Sequence, residues 1–174
     1  MRPFSLIFIF IILLGCRSNQ DFWFLVRNEE KVSKFTPFGN TSGYITQNGD
    51  TVIPLDKYAR CFTDTFKHYA IVYDIKRGLI GIDKNEKRLF NSVWDGEGGA
   101  ISEYERMILI TENNKYGFAN SKGKVIIKPI YQCAQSFLNG KAKVSNDCSK
   151  SEDENAFWKM NTWFYIDKSG KKID

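Results

Sequence analysis

The stretch YGFANSKGKVI, residues 116–126, sets an apolar triplet, Tyr116-Gly117-Phe118, before a polar turn and a β-branched run, Val125-Ile126-Ile127. The Lys122-Gly123 step supplies the positive φ that a tight hairpin needs, because glycine lacks the Cβ that makes this backbone costly. Three more stretches have the same form: SGYITQNGDTV at 42–52, LIGIDKNEKRL at 79–89 and WFYIDKSGKKI at 163–173. They start at Ser42, Leu79, Tyr116 and Trp163, with spacings of 37, 37 and 47 residues. Self-similarity at a fixed period of this size is the signature of a repeat architecture. The longer last step falls in SNDCSKSEDENA, a polar, acidic, aperiodic segment that reads as a surface-loop insertion.

Each hairpin is followed by a stretch that carries aromatics inward, Tyr58, Phe62 and Phe66 or Tyr131 and Phe137. Pro54 and Pro129 are expected to end the second strands, since proline cannot donate to a ladder. A third β-rich run then closes each unit: YAIVY at 69–73, MILIT at 107–111 and KAKVS at 141–145. The expected fold is therefore all-β, with three three-stranded units of about 37 residues and a C-terminal half-unit. A spare apolar strand, FWFLVRNEEK at 22–31, resembles RMILITENNK of the second unit. Unpaired edges invite aggregation, so this strand is expected to pair with the C-terminal hairpin and close the array.

The unit resembles the WG-containing (KWG-type) repeat of bacterial proteins. The third unit carries the resemblance best, through Tyr116-Gly117-Phe118, Gly123-Lys124, Pro129, Tyr131, Phe137 and Ala142-Lys143-Val144. In the fourth, Trp163, Tyr165, Ile166, Asp167, Gly170 and Lys171 match; in the second, Ile82, Asp83 and Lys87; in the first, Gly43, Tyr44, Ile45, Gly49 and Pro54. No unit keeps an intact Trp-Gly pair, and Glu86 replaces the turn glycine of the second. The resemblance implies a β-rich repeat scaffold, often exported, and no defined chemistry.

The chain opens MRPFSLIFIFIILLGC, one cation and then an apolar run from Phe4 to Leu14. A spanning helix needs about 20 apolar residues, so the run reads as the apolar region of a secretory signal. Leu13-Leu14-Gly15-Cys16 resembles the lipobox of bacterial lipoproteins. That resemblance implies a cleaved signal at 1–15 and a lipidated Cys16 on a short tether, 16–21, with the repeat domain over 22–174. Two or three acyl chains give stable anchoring where one gives little. Arg17 rather than Asp after Cys16 resembles the class sorted to the outer membrane.

Lys/Arg and Asp/Glu are interspersed, and the formal charge of +5 is spread along the chain rather than gathered into the basic face of a nucleic-acid binder. Three cysteines remain after Cys16, so at most one intramolecular disulfide forms. Cys133 with Cys148 is one pairing and would tie the insertion to its repeat; buried free thiols are the other reading. No Cys-x-x-Cys spacing points to a metal, and His68 is the only histidine. Nothing around Cys61, seven residues from His68, resembles a nucleophile motif. The run DGEGG, 95–99, has oxygens a hard cation could use but lacks calcium-loop spacing and reads as a turn. No phosphate loop, nucleophile elbow or converging carboxylate pair is present, so no enzyme and no cofactor are expected.

Most tryptophans and tyrosines fall at repeat-equivalent positions, where core packing accounts for them. Trp158 does not, and Phe157, Trp158 and Lys159 are the binding candidates. The expected function is a membrane-anchored scaffold for an envelope protein partner; the alternative is a lipoprotein that binds a small ligand or glycan.

Overall fold

The computed structural model describes residues 21–34, 39–150 and 158–173. Every regular element among them is a strand: β1 Trp23–Val32, β2 Asn40–Thr46, β3 Thr51–Ile53, β4 Arg60–Cys61, β5 Thr65–Phe66, β6 Ala70–Asp74, β7 Gly78–Ile82 and β8 Arg88–Ser92. Then follow β9 Met107–Glu112, β10 Lys115–Asn120, β11 Val125–Tyr131, β12 Cys133–Ala134, β13 Ala142–Lys150, β14 Trp158–Ile166 and β15 Lys172–Ile173. They form three antiparallel sheets with orders β3-β2-β1-β5, β11-β10-β9-β8-β7-β6-β4 and β12-β13-β14-β15.

One turn builds the hairpins. In the third, the Asn120 side-chain carbonyl accepts the Lys122 and Lys124 amides at 3.0 and 3.1 Å, and the Gly123 amide donates to the Asn120 carbonyl at 2.8 Å. Thr46, Asp83 and Asp167 do the same with their own second and fourth neighbours. A short side-chain acceptor thus satisfies amides that the turn leaves without ladder partners. This is the physical content of the Ile-Asp-x-x-Gly-Lys pattern.

The phase of the repeat differs from the expected one. The third β-rich run does not close its own unit but pairs forward into the next hairpin: β6 with β7, β9 with β10 and β13 with β14. The N-terminal strand does likewise, Leu25 opposite Tyr44 and Val26 opposite Gly43. The described residues hold four meanders, β1–β2–β3, β6–β7–β8, β9–β10–β11 and β13–β14–β15, and no half-unit among them. The expected closure is therefore overturned: β1 pairs with β2 and β5, and the C-terminal hairpin pairs with β13. The similarity of 22–31 to 106–115 is that of two equivalent leading strands. Short connections favour antiparallel neighbours, so each run joins the hairpin that immediately follows it.

Two smaller expectations are also corrected. Pro129 lies within β11, at the register shift between the Phe118–Ile127 and Tyr116–Tyr131 pairs. β11 is an edge strand, where a missing donor costs little. The insertion is not all loop: residues 145–150 extend β13 against Trp158–Thr162 as a two-stranded ribbon. Its residues 151–157 lie outside the described ones.

Adjacent meanders share cores. Trp23, Leu25 and Tyr44 pack with Ala70, Val72, Ile80 and Ile82. Ile71, Leu79 and Phe90 pack with Ile108, Ile110 and Ala119. Met107, Leu109 and Phe118 pack with Ala142, Val144 and Ile166. The connector aromatics Phe66 and Phe137 are fully buried in the first and last of these, each such side chain contributing about 1.5–3 kcal/mol. Turns lock onto the preceding meander as well: the Gly123 Cα lies where a Cβ would come within 2.6 Å of Leu89, and one at Gly170 within 3.2 Å of Ile127. None of the three clusters joins the first sheet to the last. Among the described residues the array is open and held by neighbour contacts, in the manner of repeat folds.

Candidate binding face of the last sheet

Strand pairing fixes which positions correspond. Ser42, Leu79, Tyr116 and Trp163 are equivalent, as are Tyr44, Gly81, Phe118 and Tyr165. In the first three meanders these residues pack into the core clusters: Tyr44 and Phe118 are wholly buried, Leu79 nearly so and Tyr116 half-buried. In the last, none of the core clusters includes them, and Trp163 is 49% exposed. The reading of Trp163 as core packing is thereby corrected. Its position is the same as in those copies, but among the described residues no further meander packs on it.

The neighbouring strand has changed to match. Leu25, Ile71 and Leu109 occupy the leading-strand position paired with the second residue of that set; in β13 the residue is Lys143, opposite Tyr165. Trp23, Tyr69 and Met107 are likewise succeeded by Lys141. The Lys143 ammonium lies 4.3 Å from the Trp163 ring centroid and that of Lys141 4.2 Å from Tyr165. Trp163 and Tyr165 meet edge to face at 5.2 Å. Cation–π contact at such distances is worth about 0.5–1 kcal/mol on an exposed surface. The face presents two ammonium groups and aromatic edges, with the ring faces occupied by lysine.

Of the residues singled out in sequence, Phe157 lies outside the described residues. The Trp158 backbone pairs with Lys150 at the start of β14, and Lys159 is exposed opposite Ser149. They stand at the far end of the ribbon from Trp163. Cys133 and Cys148 are joined as a disulfide, Cα to Cα 6.5 Å, tying β12 to the ribbon. Cys16 lies outside the described residues. Among the described residues there is no helix long and apolar enough to cross a membrane, and no cluster of metal-ligating side chains.

His68 and Glu103 line one cleft of about 380 Å³ with Lys67, Phe62 and Ile101. The Glu103 carboxylate accepts the Tyr69 hydroxyl at 3.0 Å. Cys61 is fully buried in the first core, its amide bonded to the Ser42 hydroxyl, and burial pushes its thiol up to about 11. A thiol held protonated in this way is a small apolar residue rather than a nucleophile. Asp95 spends one carboxylate oxygen on the Glu97 and Gly99 amides, both at 2.8 Å, so the DGEGG run is a side-chain-capped turn.

Trp163 was legible as a tryptophan but not as a surface residue, since the motif is the same in buried and uncovered copies. No curated protein and no solved structure matches the chain. Residues 116–147, from the Tyr116 hairpin through the strand that follows it, match the family model of the WG-containing repeat.

Proposed function

We propose that the protein is a non-enzymatic scaffold, anchored through a lipid on Cys16 to the bacterial envelope, outer membrane included, and that it holds a protein partner on the outer face of its last sheet. The observation that supports this reading is the Trp163–Tyr165 pair, with Trp163 exposed at a position that is buried in the first two meanders and half-buried in the third. Tryptophan and tyrosine are the usual anchors of protein interfaces. Because lysines occupy the ring faces, the favoured partner surface is acidic rather than a stacked sugar.

The test is a photo-reactive residue at position 163 of the full chain, activated in its native cells. The expected result is one protein captured reproducibly, lost both in Cys16→Ala and in Lys141→Glu/Lys143→Glu. Capture that is indifferent to both changes, or no capture despite efficient photolysis, sinks the reading.

A further inference from the structure

We infer that a second site, on the middle sheet, binds a neutral sugar residue against Trp94. A shallow cleft of about 380 Å³ is lined by Arg77, Asn91, Ser92, Trp94, Asn113 and Asn114. That volume accepts one or two hexose units. Its composition is an aromatic platform ringed by amide and hydroxyl side chains, which suits a ligand with an apolar C–H face and a rim of hydroxyls.

Trp94 is 38% exposed yet firmly set. Its ring packs on Phe62 at 5.8 Å and Tyr73 at 5.3 Å. Its backbone bridges Ala100 across the turn that Asp95 caps. A platform fixed before binding loses little entropy on complex formation. Around it, the Asn91 side-chain carbonyl accepts from Arg88 at 3.3 Å, which leaves its amide NH₂ as the donor end. Asn113 and Asn114 form the β9–β10 turn with φ of 49° and 58°, left-handed values that hold both exposed amides at the cleft's edge.

Ser92 also borders the cleft, but its hydroxyl is buried beneath the surface, so the polar rim consists of the asparagine amides and Thr111. Charge selects the class of sugar. Arg77 is already paired with Asp74 at 2.9 Å, and the remaining charge on the cleft is the Glu112 carboxylate. Acidic sugars would meet that carboxylate without a free cation to offset it, so the site favours a neutral residue.

The test uses the full chain in phosphocholine micelles, free of sugar-headed detergent. It is titrated with trisaccharides of glucose, mannose, galactose and N-acetylglucosamine, and with a uronic-acid trisaccharide. Tryptophan fluorescence and saturation-transfer NMR report binding. At least one neutral trisaccharide is expected to bind saturably. Trp94→Ala should weaken it by about tenfold or more, Asn91→Ala and Asn113→Ala by less, and Trp163→Ala not at all. Since Trp94→Ala also removes contacts with Phe62 and Tyr73, its near-ultraviolet circular dichroism is compared with wild type, and the two Asn variants carry the assignment if it differs. Saturable binding by none of the neutral sugars, tighter binding of the acidic one, or indifference to all three cleft variants overturns the proposal. Partner capture at Trp163 is a separate readout, so either idea can fail alone.

Discussion

Glu86 is the one non-glycine residue at the turn position that Gly49, Gly123 and Gly170 occupy in the other hairpins, and its φ is 60°. A side chain in this conformation costs roughly 1–2 kcal/mol. The structure shows what offsets the strain: the carboxylate accepts the Tyr58 hydroxyl at 2.7 Å and pairs with the Lys57 ammonium. Partial burial pushes the Glu86 carboxyl up, but the hydrogen bonds from Lys57 and Tyr58 outweigh it and hold the group below the usual carboxylate range. Because the folded pKa is depressed, its contribution is complete above the ordinary glutamate value and is lost as pH falls through the lowered one. Glu86→Ala keeps the strain and loses both partners, so it should cost about 1–2 kcal/mol at neutral pH, allowing for the exposure of Lys57. Glu86→Gly loses the partners but relieves the backbone and should lie within about 0.5 kcal/mol of wild type. Urea unfolding from about pH 7 down to pH 3 checks this: the gap between wild type and Glu86→Gln should be flat, then close in the acid range. A gap that widens on acidification would contradict the assignment.

At the scale of the hairpin, the Gly of the repeat's aromatic-Gly pair has a steric reason. A Cβ on Gly117 would strike the Ile127 carbonyl oxygen and come within 2.6 Å of the Pro129 nitrogen; one on Gly43 would strike the Ile53 carbonyl and approach Leu55 at 3.0 Å. Both glycines lie where the second strand runs on past proline and crosses close over the first. The equivalent residues are Ile80 and Phe164, and there the crossing is missing: β8 carries no proline, and β15 reaches only Tyr165 and Ile166. Gly117→Ala should therefore cost about 2–4 kcal/mol, since backbone rather than a flexible side chain must shift. Thermal and urea unfolding measure it, and a cost under about 0.5 kcal/mol would show that β11 yields freely. The strands and turns were readable because they are local: alternation, a short polar acceptor, a glycine. The phase was not, because a run such as YAIVY carries no mark of whether it pairs backward or forward. That choice is made by the length of the connection to the next strand, Asp74 to Gly78, which only the paired structure displays.

For the whole molecule, coverage rather than sequence decides which aromatics are surface. Phe24, Val26 and Ile45 correspond to Ala70, Val72 and Ile82, all fully buried, yet Phe24 is 36% exposed because no meander precedes it among the described residues. The last sheet is uncovered on its opposite side, and there Lys141 and Lys143 stand in place of apolar residues. A polar, uncovered face guards a repeat array against stacking on another copy, and the lysines fit that role as well as partner binding. The Trp94 cleft was illegible for a related reason: Arg77 and Asn114 come from two turns and Asn91 from strand β8, and no motif links them. An array held by neighbours should also come apart by neighbours. Leu25 packs into the first core, between the first meander and the second. Leu25→Ala is half-buried and should cost about 1–2 kcal/mol. Hydrogen exchange should register that loss at Tyr44 and Ile53 and more weakly at Ile80, while Ile166 and Tyr165, paired with β13 and β15, keep their protection. Deletion of residues 22–31 extends the test: the first hairpin loses its strand partner, and the last sheet should still exchange as in wild type. A closed ring would instead transmit the damage to Tyr165. Equal loss at Tyr44 and Tyr165 in the point variant would mean that the sheets unfold as a single cooperative unit, and the chain-of-neighbours account would have to be abandoned.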